Sequence, residues 1–239
     1  MSVLTVIRHG QASFLEDDYD KLSPLGEWQA RLLGEYWARH EVRFDAVYTG
    51  PLLRQRRTAE IAVETLRNLN MTAPDPVVIE GLAEHQGHEV MTQYLPRLTA
   101  DDERVRSMEN AFLRAEGVQE KARTFQKVFE EVMLRWVRGE LSAPEYEAWP
   151  AFVTRVRNGI TAITSNASNG QRIAAFTSGG PTGVAMQYAL KLTPEATLNL
   201  TWMVRNAAVT EFLFTEDRFT VSSFNAFPHL DSQELWTYR

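Results

Sequence analysis

The apolar residues of this chain change period along its length, and that change restricts the fold it can adopt. Val3–Ile7 (VLTVI) is a continuous apolar and β-branched run, the pattern of a strand covered on both faces. LSPLGEWQARLLGEYWARH follows, in which Ser23 suits a helix N-cap, Pro24 the first helical position, and Leu25, Trp28, Leu32, Tyr36 and Trp37 one apolar stripe. The order then repeats. A short strand at Ala46–Thr49 breaks at Gly50-Pro51 and passes into a helix ending near Leu69, and Pro74 and Pro76 lead into a third strand at Val77–Ile79. Arg172–Thr177 (RIAAFT) is a fourth strand, entering a glycine turn and a helix from about Pro181 to Leu190. TWMVR, AVTEFLF and FTVSSFN supply two or three more, with a Glu216-Asp217 turn between the last two.

Between Asp101 and Asn169 the strand pattern stops. One helical pattern runs through AFLRAEGVQEKARTFQKVFEEVMLRWVRG, and a second begins near Ser142-Ala143-Pro144 and continues through FVTRVRNGITAIT. Trp28, Trp37, Trp136 and Trp149 fall on helical stripes and read as packing residues. These patterns predict an α/β fold: a three-layer α/β/α sandwich with a mostly parallel central sheet, one domain over 1–239 with a helical insertion at about 101–169.

Charge and composition exclude several functions. The formal net charge of -6 argues against nucleic acid or an anionic membrane as partner, since both demand a basic surface. With no cysteine in the 239 residues, disulfides, thiolate nucleophiles and thiolate metal sites are impossible. Met1–Ile7 is too short and uncharged for a signal peptide, and no apolar run is long enough to span a membrane, so a cytoplasmic protein is expected.

In parallel sheets, ligands bind beyond the carboxyl ends of the strands. Four predicted strands end in RHG (8–10), TGPLLR (49–54), GLAEHQG (81–87) and TSGGP (177–181). Together they offer Arg8, Arg54, His9, Glu84 and a glycine-bounded helix start after Gly179-Gly180. Two guanidinium forks and a helix N-terminus are donors suited to phosphate oxygens. A neutral imidazole beside them can attack phosphorus, and a carboxylic acid can protonate the departing alkoxide and later activate water. The competing reading of Arg54 is a solvated helix face with Arg56 and Arg57, and His85 and His88 read as ordinary loop residues.

RHG after the first strand, LSPLGEWQA, YTGPLLRQRRTAE and LAEHQG also occur in an order that resembles the histidine phosphatase superfamily, in its phosphoglycerate mutase-like branch. The resemblance implies a phosphoric monoester hydrolase of the histidine acid phosphatase type, with His9 as phosphorylated nucleophile and Glu84 as general acid and base. It implies that Arg8, Arg54, Ser178 and Gly179 bind phosphate, that no metal or other cofactor is needed, and that the substrate is a small phosphorylated metabolite or a phosphoprotein. The insertion would overhang the site and set the substrate. Where relatives carry a second histidine before glycine, this chain has Ser178. Loss of one preorganised donor costs about 2.7 to 4 kcal/mol at a transition-state oxyanion, although a serine hydroxyl can itself donate. His229, in FNAFPHL, is a candidate replacement, and Gln11 is a further candidate beside His9. Mutase-type phosphoryl transfer and a degenerate phosphate-binding module remain the alternatives to hydrolysis.

Overall fold

The computed structural model describes residues 1–13, 20–141, 145–165 and 167–238. The chain divides into two compact units, 1–84 with 153–239, and 85–152. The first holds β1 (Ser2–Arg8), α1 (Pro24–Arg39), β2 (Ala46–Thr49), α2 (Leu53–Asn68), β3 (Pro76–Val78) and most of a helix, α6, whose full span is Trp149–Thr164. β4 (Arg172–Thr177), α7 (Gly179–Leu190), α8 (Pro194–Met203), β5 (Val209–Phe214) and β6 (Phe219–Ala226) complete it. The second holds α3 (Gly87–Asp101), α4 (Glu103–Arg114), α5 (Val118–Val137) and the start of α6. Among the described residues no helix is long and apolar enough to cross a membrane.

The sheet order is β3-β2-β4-β1-β5-β6, giving the mixed α/β architecture that the periodicity predicts. β3, β2, β4 and β1 pair in parallel, and β5 and β6 are antiparallel. Ile7, Ala174 and Phe176 pack with Leu33, Trp37, Ala59, Val63 and Leu66 of α1 and α2. Leu4, Val6, Ile173 and Ala175, which alternate with them, are equally buried, so the central strands are covered on both faces. That double burial is why their sequences are continuous apolar runs.

Register places the functional edge. Arg8 lies beside Thr177, and Thr49 lies beside both Phe176 and Val78. Backbone bonds extend the alignment past the strands: His9 N–H donates to Thr177 O at 2.8 Å and Gly50 N–H to Phe176 O at 2.9 Å. The loops after β1, β2, β3 and β4 therefore leave the sheet along one edge.

Several expectations need correction. TWMVR is the end of α8 and its exit, not a strand; a five-residue apolar run looks the same in a strand and a buried helix turn. The stripe of α1 is displaced: Gly26, Gln29, Ala30, Leu33, Gly34 and Trp37 are buried, whereas Trp28 is 42% exposed with Arg31 over its ring. Small residues face inward because α1 lies closely on neighbouring backbone. Trp37, Trp136 and Trp149 are buried as expected.

The long helical pattern after 110 is two helices, interrupted at Ala115–Gly117, where Gly117 takes a φ of 77°. The helical region also starts earlier than its pattern indicates, with α3 at Gly87. α6 begins at Trp149, and the start expected near Ser142-Ala143-Pro144 lies outside the described residues. Asp102 caps α4, accepting from Arg104 N–H at 2.8 Å, and is paired with Arg135 of α5.

The close approach of α1 concerns the loop after β1. Ser23 caps the helix, its Oγ accepting from Gly26 N–H at 3.1 Å and donating to Gln11 Oε1 at 2.8 Å. A Cβ on Gly26 would lie 2.1 Å from Gln11 O, and one on Gly10 would lie 2.3 Å from Gly26 O. Both obstacles are backbone, so rotamer changes give no relief. Gly26→Ala gains helix propensity of about 1 kcal/mol but must force the loop and helix apart. We expect a net loss of about 1 to 3 kcal/mol, read as a drop of several degrees in the thermal unfolding midpoint followed by circular dichroism.

Candidate active site

His9 lies one residue past β1 and is 3% exposed. Its Nδ1 is 2.7 Å from Gly10 O, and its Nε2 is 3.1 Å from Arg54 Nε. A carbonyl can only accept and a guanidinium can only donate. The imidazole therefore carries its proton on Nδ1 and keeps a lone pair on Nε2. Burial, then the charges of Arg54 and Arg8, hold the pKa of His9 well below the usual 6.5. The ring is neutral at physiological pH.

The two arginines are fixed differently. Arg54, on the first turn of α2, is 7% exposed and its Nη1 donates to Asp20 Oδ1 at 2.7 Å. Asp20 Oδ2 in turn accepts from Leu53 N–H at 2.9 Å, tying the carboxylate to the helix start. Arg8 ends β1, and its Nη1 donates to Val204 O. Both guanidiniums thus border His9 and are oriented through other atoms of the same groups.

Ser178 is 1% exposed at the N-cap of α7. Its Oγ accepts from Gln55 Nε2 at 2.8 Å, which leaves the hydroxyl proton available to another acceptor. Gln55 Nε2 also donates to Leu82 O at 3.1 Å, and Gln55 Oε1 accepts from Leu52 N–H at 3.2 Å. One amide side chain thereby joins the loops after β2, β3 and β4. Gly50 makes room for it, since a Cβ there would be 2.0 Å from Gln55 Oε1. Thr177 Oγ1 adds a second bond to Leu82 O, at 2.7 Å. Gly179 leaves space between α7 and its neighbours: an added Cβ would be 3.3 Å from Thr201 and 4.0 Å from Arg8 Nε.

Glu84 Oε2 accepts from Gly180 N–H at 3.1 Å. The carboxyl group of Glu84 thus occupies one of the α7 N-terminal donors that the sequence offers to phosphate. The edge of the sheet accordingly brings His9, Arg8, Arg54, Ser178, Gly179 and Glu84 together. Gln11 anchors the loop: its side chain accepts from Ser23 and its N–H donates to Gln29 Oε1 at 2.8 Å. No hydrogen bond joins His229 to these groups among the described residues; it is 6% exposed, with its ring 6.3 Å from that of Tyr36. His85 packs on Trp136 and Phe152 in the second unit, and His88 is exposed.

Sequence reasoning missed Gln55, Gln29, Thr58 and Asn206, each 0% exposed. The available signal was positional. Gln29 falls on the face of Ala30, Leu33 and Trp37, and Gln55 and Thr58 fall on the face of Ala59, Ala62 and Leu66. A polar residue on a buried face must find partners.

The model of the histidine phosphatase superfamily (branch 1) matches residues 4–132 and 102–226. The chain belongs to this superfamily. Over 103 residues it is 33% identical to 2-carboxy-D-arabinitol-1-phosphatase of Triticum aestivum, a match covering 36% of this chain and 19% of that protein. The chain thus spans about a fifth of that relative. Two solved structures share the fold. A phosphoserine phosphatase of Entamoeba histolytica bound to phosphoserine has a TM-score of 0.64 at 19% identity, covering 96% of this chain and 100% of that one. A phosphoglycerate mutase of Bacillus anthracis has a TM-score of 0.63 at 18% identity, covering 96% and 95%.

His229 supplies a pH dependence. Burial lowers its pKa from 6.5 to about 4, and the Ala207 backbone offsets only part of this. The unfolded chain binds this proton more readily than the folded one. Stability is therefore complete above about pH 6.5 and declines as the pH falls toward 4. His229→Leu removes the titration. Between neutral pH and pH 4, wild type should lose on the order of 3 kcal/mol more than the variant, measured by denaturant unfolding at each pH.

Proposed function

We propose that the chain is a phosphatase that hydrolyses phosphomonoesters through a phosphohistidine at His9, without a metal. The observation that carries this reading is the His9 ring itself: neutral, with its Nδ1 proton given to Gly10 O and its Nε2 lone pair beside Arg54. Nε2 attacks phosphorus, the ester P–O bond breaks, and Glu84 gives its proton to the departing alkoxide. Glu84 then takes a proton from water as the water oxygen displaces Nε2 from phosphorus. Arg8 and Arg54 stabilise the three non-bridging oxygens, aided by the Ser178 hydroxyl. Arg54 Nε would exchange its bond to Nε2 for one to a phosphoryl oxygen as substrate enters.

Hydrolysis is preferred over transfer to a second phosphorylated ligand because a mutase must hold additional anionic charge. Arg57, a further cation on α2, is engaged on the surface by Glu27 and Glu60, at 3.6 and 3.3 Å. The proposed substrate is a small phosphorylated metabolite or a phosphoprotein. Nucleic acid is disfavoured by the net charge of -6.

The test is phosphate release from an aryl phosphate and from a panel of alkyl phosphomonoesters in EDTA. Wild type should turn over, and His9→Ala should lose more than about a thousandfold of that rate. No release by wild type from any substrate would overturn the proposal and leave phosphate binding as the reading. Glu84→Gln should slow alkyl phosphates by about a hundredfold or more. Its effect on the aryl phosphate should be smaller, because that leaving group needs less protonation.

A further inference from the structure

The two peptide units that follow His9 are bonded at all four of their polar groups. The His9 carbonyl accepts from Ala207 N–H at 3.1 Å and from Asn206 Nδ2 at 3.3 Å, and Gly10 N–H donates to Thr58 Oγ1 at 3.1 Å. The next unit bears on the chemistry directly. Its carbonyl, Gly10 O, takes the Nδ1 proton of His9, and its N–H, that of Gln11, donates to Gln29 Oε1 at 2.8 Å.

Gln29 is 0% exposed and is held in turn by the C-terminal segment. Its Nε2 donates to Leu235 O at 2.7 Å and to Thr237 Oγ1 at 3.0 Å. Thr237 Oγ1 donates to Asn206 Oδ1 at 2.9 Å, and Asn206 N–H donates to Thr237 O at 2.9 Å. The amide of Gln29 cannot be reversed, because its nitrogen would then face the Gln11 N–H and its oxygen the Leu235 carbonyl.

We propose that Gln29 is a positioning residue for the His9 nucleophile. It locks the Gly10–Gln11 peptide so that Gly10 O selects the Nδ1–H tautomer, and Leu235–Thr237 lock Gln29. This rests on the phosphohistidine reading for its functional consequence, but not for its structural one. The aligned donors and acceptors polarise one another through the shared peptide, so a strong bond at Gln11 N–H makes Gly10 O a better acceptor. Without it the peptide can tilt and the Nδ1–H bond to Gly10 O weakens, so that the proton can settle on Nε2 where Arg54 Nε–H turns away from the ring, which abolishes the lone pair. The ring does not move far; its reactivity changes.

The experiment compares Gln29→Met, which keeps the side-chain length and removes the amide, with Thr237→Val and Thr237→Ser. The His9 tautomer is read by ¹⁵N NMR of histidine-labelled protein, with His9→Ala identifying the resonance, and steady-state kinetics follow an aryl phosphate. Gln29→Met should reduce the Nδ1–H population and lower kcat by roughly tenfold to a hundredfold, with KM changed less than about threefold. Thr237→Val should move both readouts the same way by a smaller factor, and Thr237→Ser, which keeps the hydroxyl, should match wild type. If Gln29→Met does not fold, the Thr237 pair decides by the same criteria. An unchanged tautomer in every folded variant overturns the proposal, whatever the rates. Failure of the phosphatase reading is distinct: wild type then shows no turnover while the tautomer still responds to Gln29→Met.

Discussion

A neutral imidazole held between two guanidiniums is the constraint around which this site is organised. Arg54 and Arg8 supply the positive potential that a phosphoryl group needs, and the same potential, added to burial, makes protonation of His9 unfavourable. The two requirements therefore agree. Under the proposed function, one cation-rich pocket would bind the anion and also keep the nucleophile in its basic form. The position of the single remaining proton is fixed from both sides, by Gly10 O at 2.7 Å from Nδ1 and by the Arg54 Nε–H at 3.1 Å from Nε2. That carbonyl is adjacent in sequence, so local geometry of the β1 exit, rather than a distant carboxylate, sets the tautomer.

Much of the first unit can be understood as support for that exit. Parallel pairing of β1 with β4 brings Arg8 beside Thr177 and directs His9 N–H to Thr177 O. Glycines at 10 and 26 let α1 lie on the loop, and Thr58 of α2 reaches Gly10 N–H while donating to Arg54 O at 2.7 Å. Thr58 thus couples the nucleophile's loop to the helix that carries Arg54. These buried polar residues are amides and hydroxyls, which can satisfy two or three partners without adding charge. Extra buried carboxylates would instead raise the pKa of His9 and cancel the potential of the arginines.

How far the sequence conveyed this depends on what kind of information each feature carries. β1, α1, β2, α2, β4 and the β5–β6 hairpin were legible because their periods are local and their ends are marked: Ser23-Pro24, Gly50-Pro51, Glu216-Asp217. TWMVR was not, since apolar runs of that length do not declare a period. The buried face of α1 was misjudged because size was taken as a sign of burial, whereas Gly26 and Ala30 face inward and Trp28 outward. At the site, Arg8, His9, Arg54 and Glu84 stood out because they fall in the segments that follow predicted parallel strands, where ligands bind. Gln29, Gln55 and Asn206 did not, because an amide looks alike in the sequence whether it is solvated or buried. Their partners, Leu235, Leu82 and the His9 carbonyl, are mostly backbone atoms brought in from distant parts of the chain.

Ser178 shows what such an amide changes. A histidine at position 178, which the family resemblance leads one to expect, could carry a third positive charge in this pocket. Serine offers none, but its oxygen accepts from Gln55, and Gln55 is anchored at Leu52 and Leu82, so the hydroxyl is held rather than free to rotate among solvent positions. A preorganised neutral donor recovers the directional part of the interaction and forgoes the Coulombic part. In the proposed reaction the positive charge comes from Arg8 and Arg54. Burial is the leading cause of the lowered His9 pKa, ahead of the charges of Arg54 and Arg8. Because burial leads that shift and the guanidiniums add to it, the neutrality of the ring does not depend on a third cation at position 178.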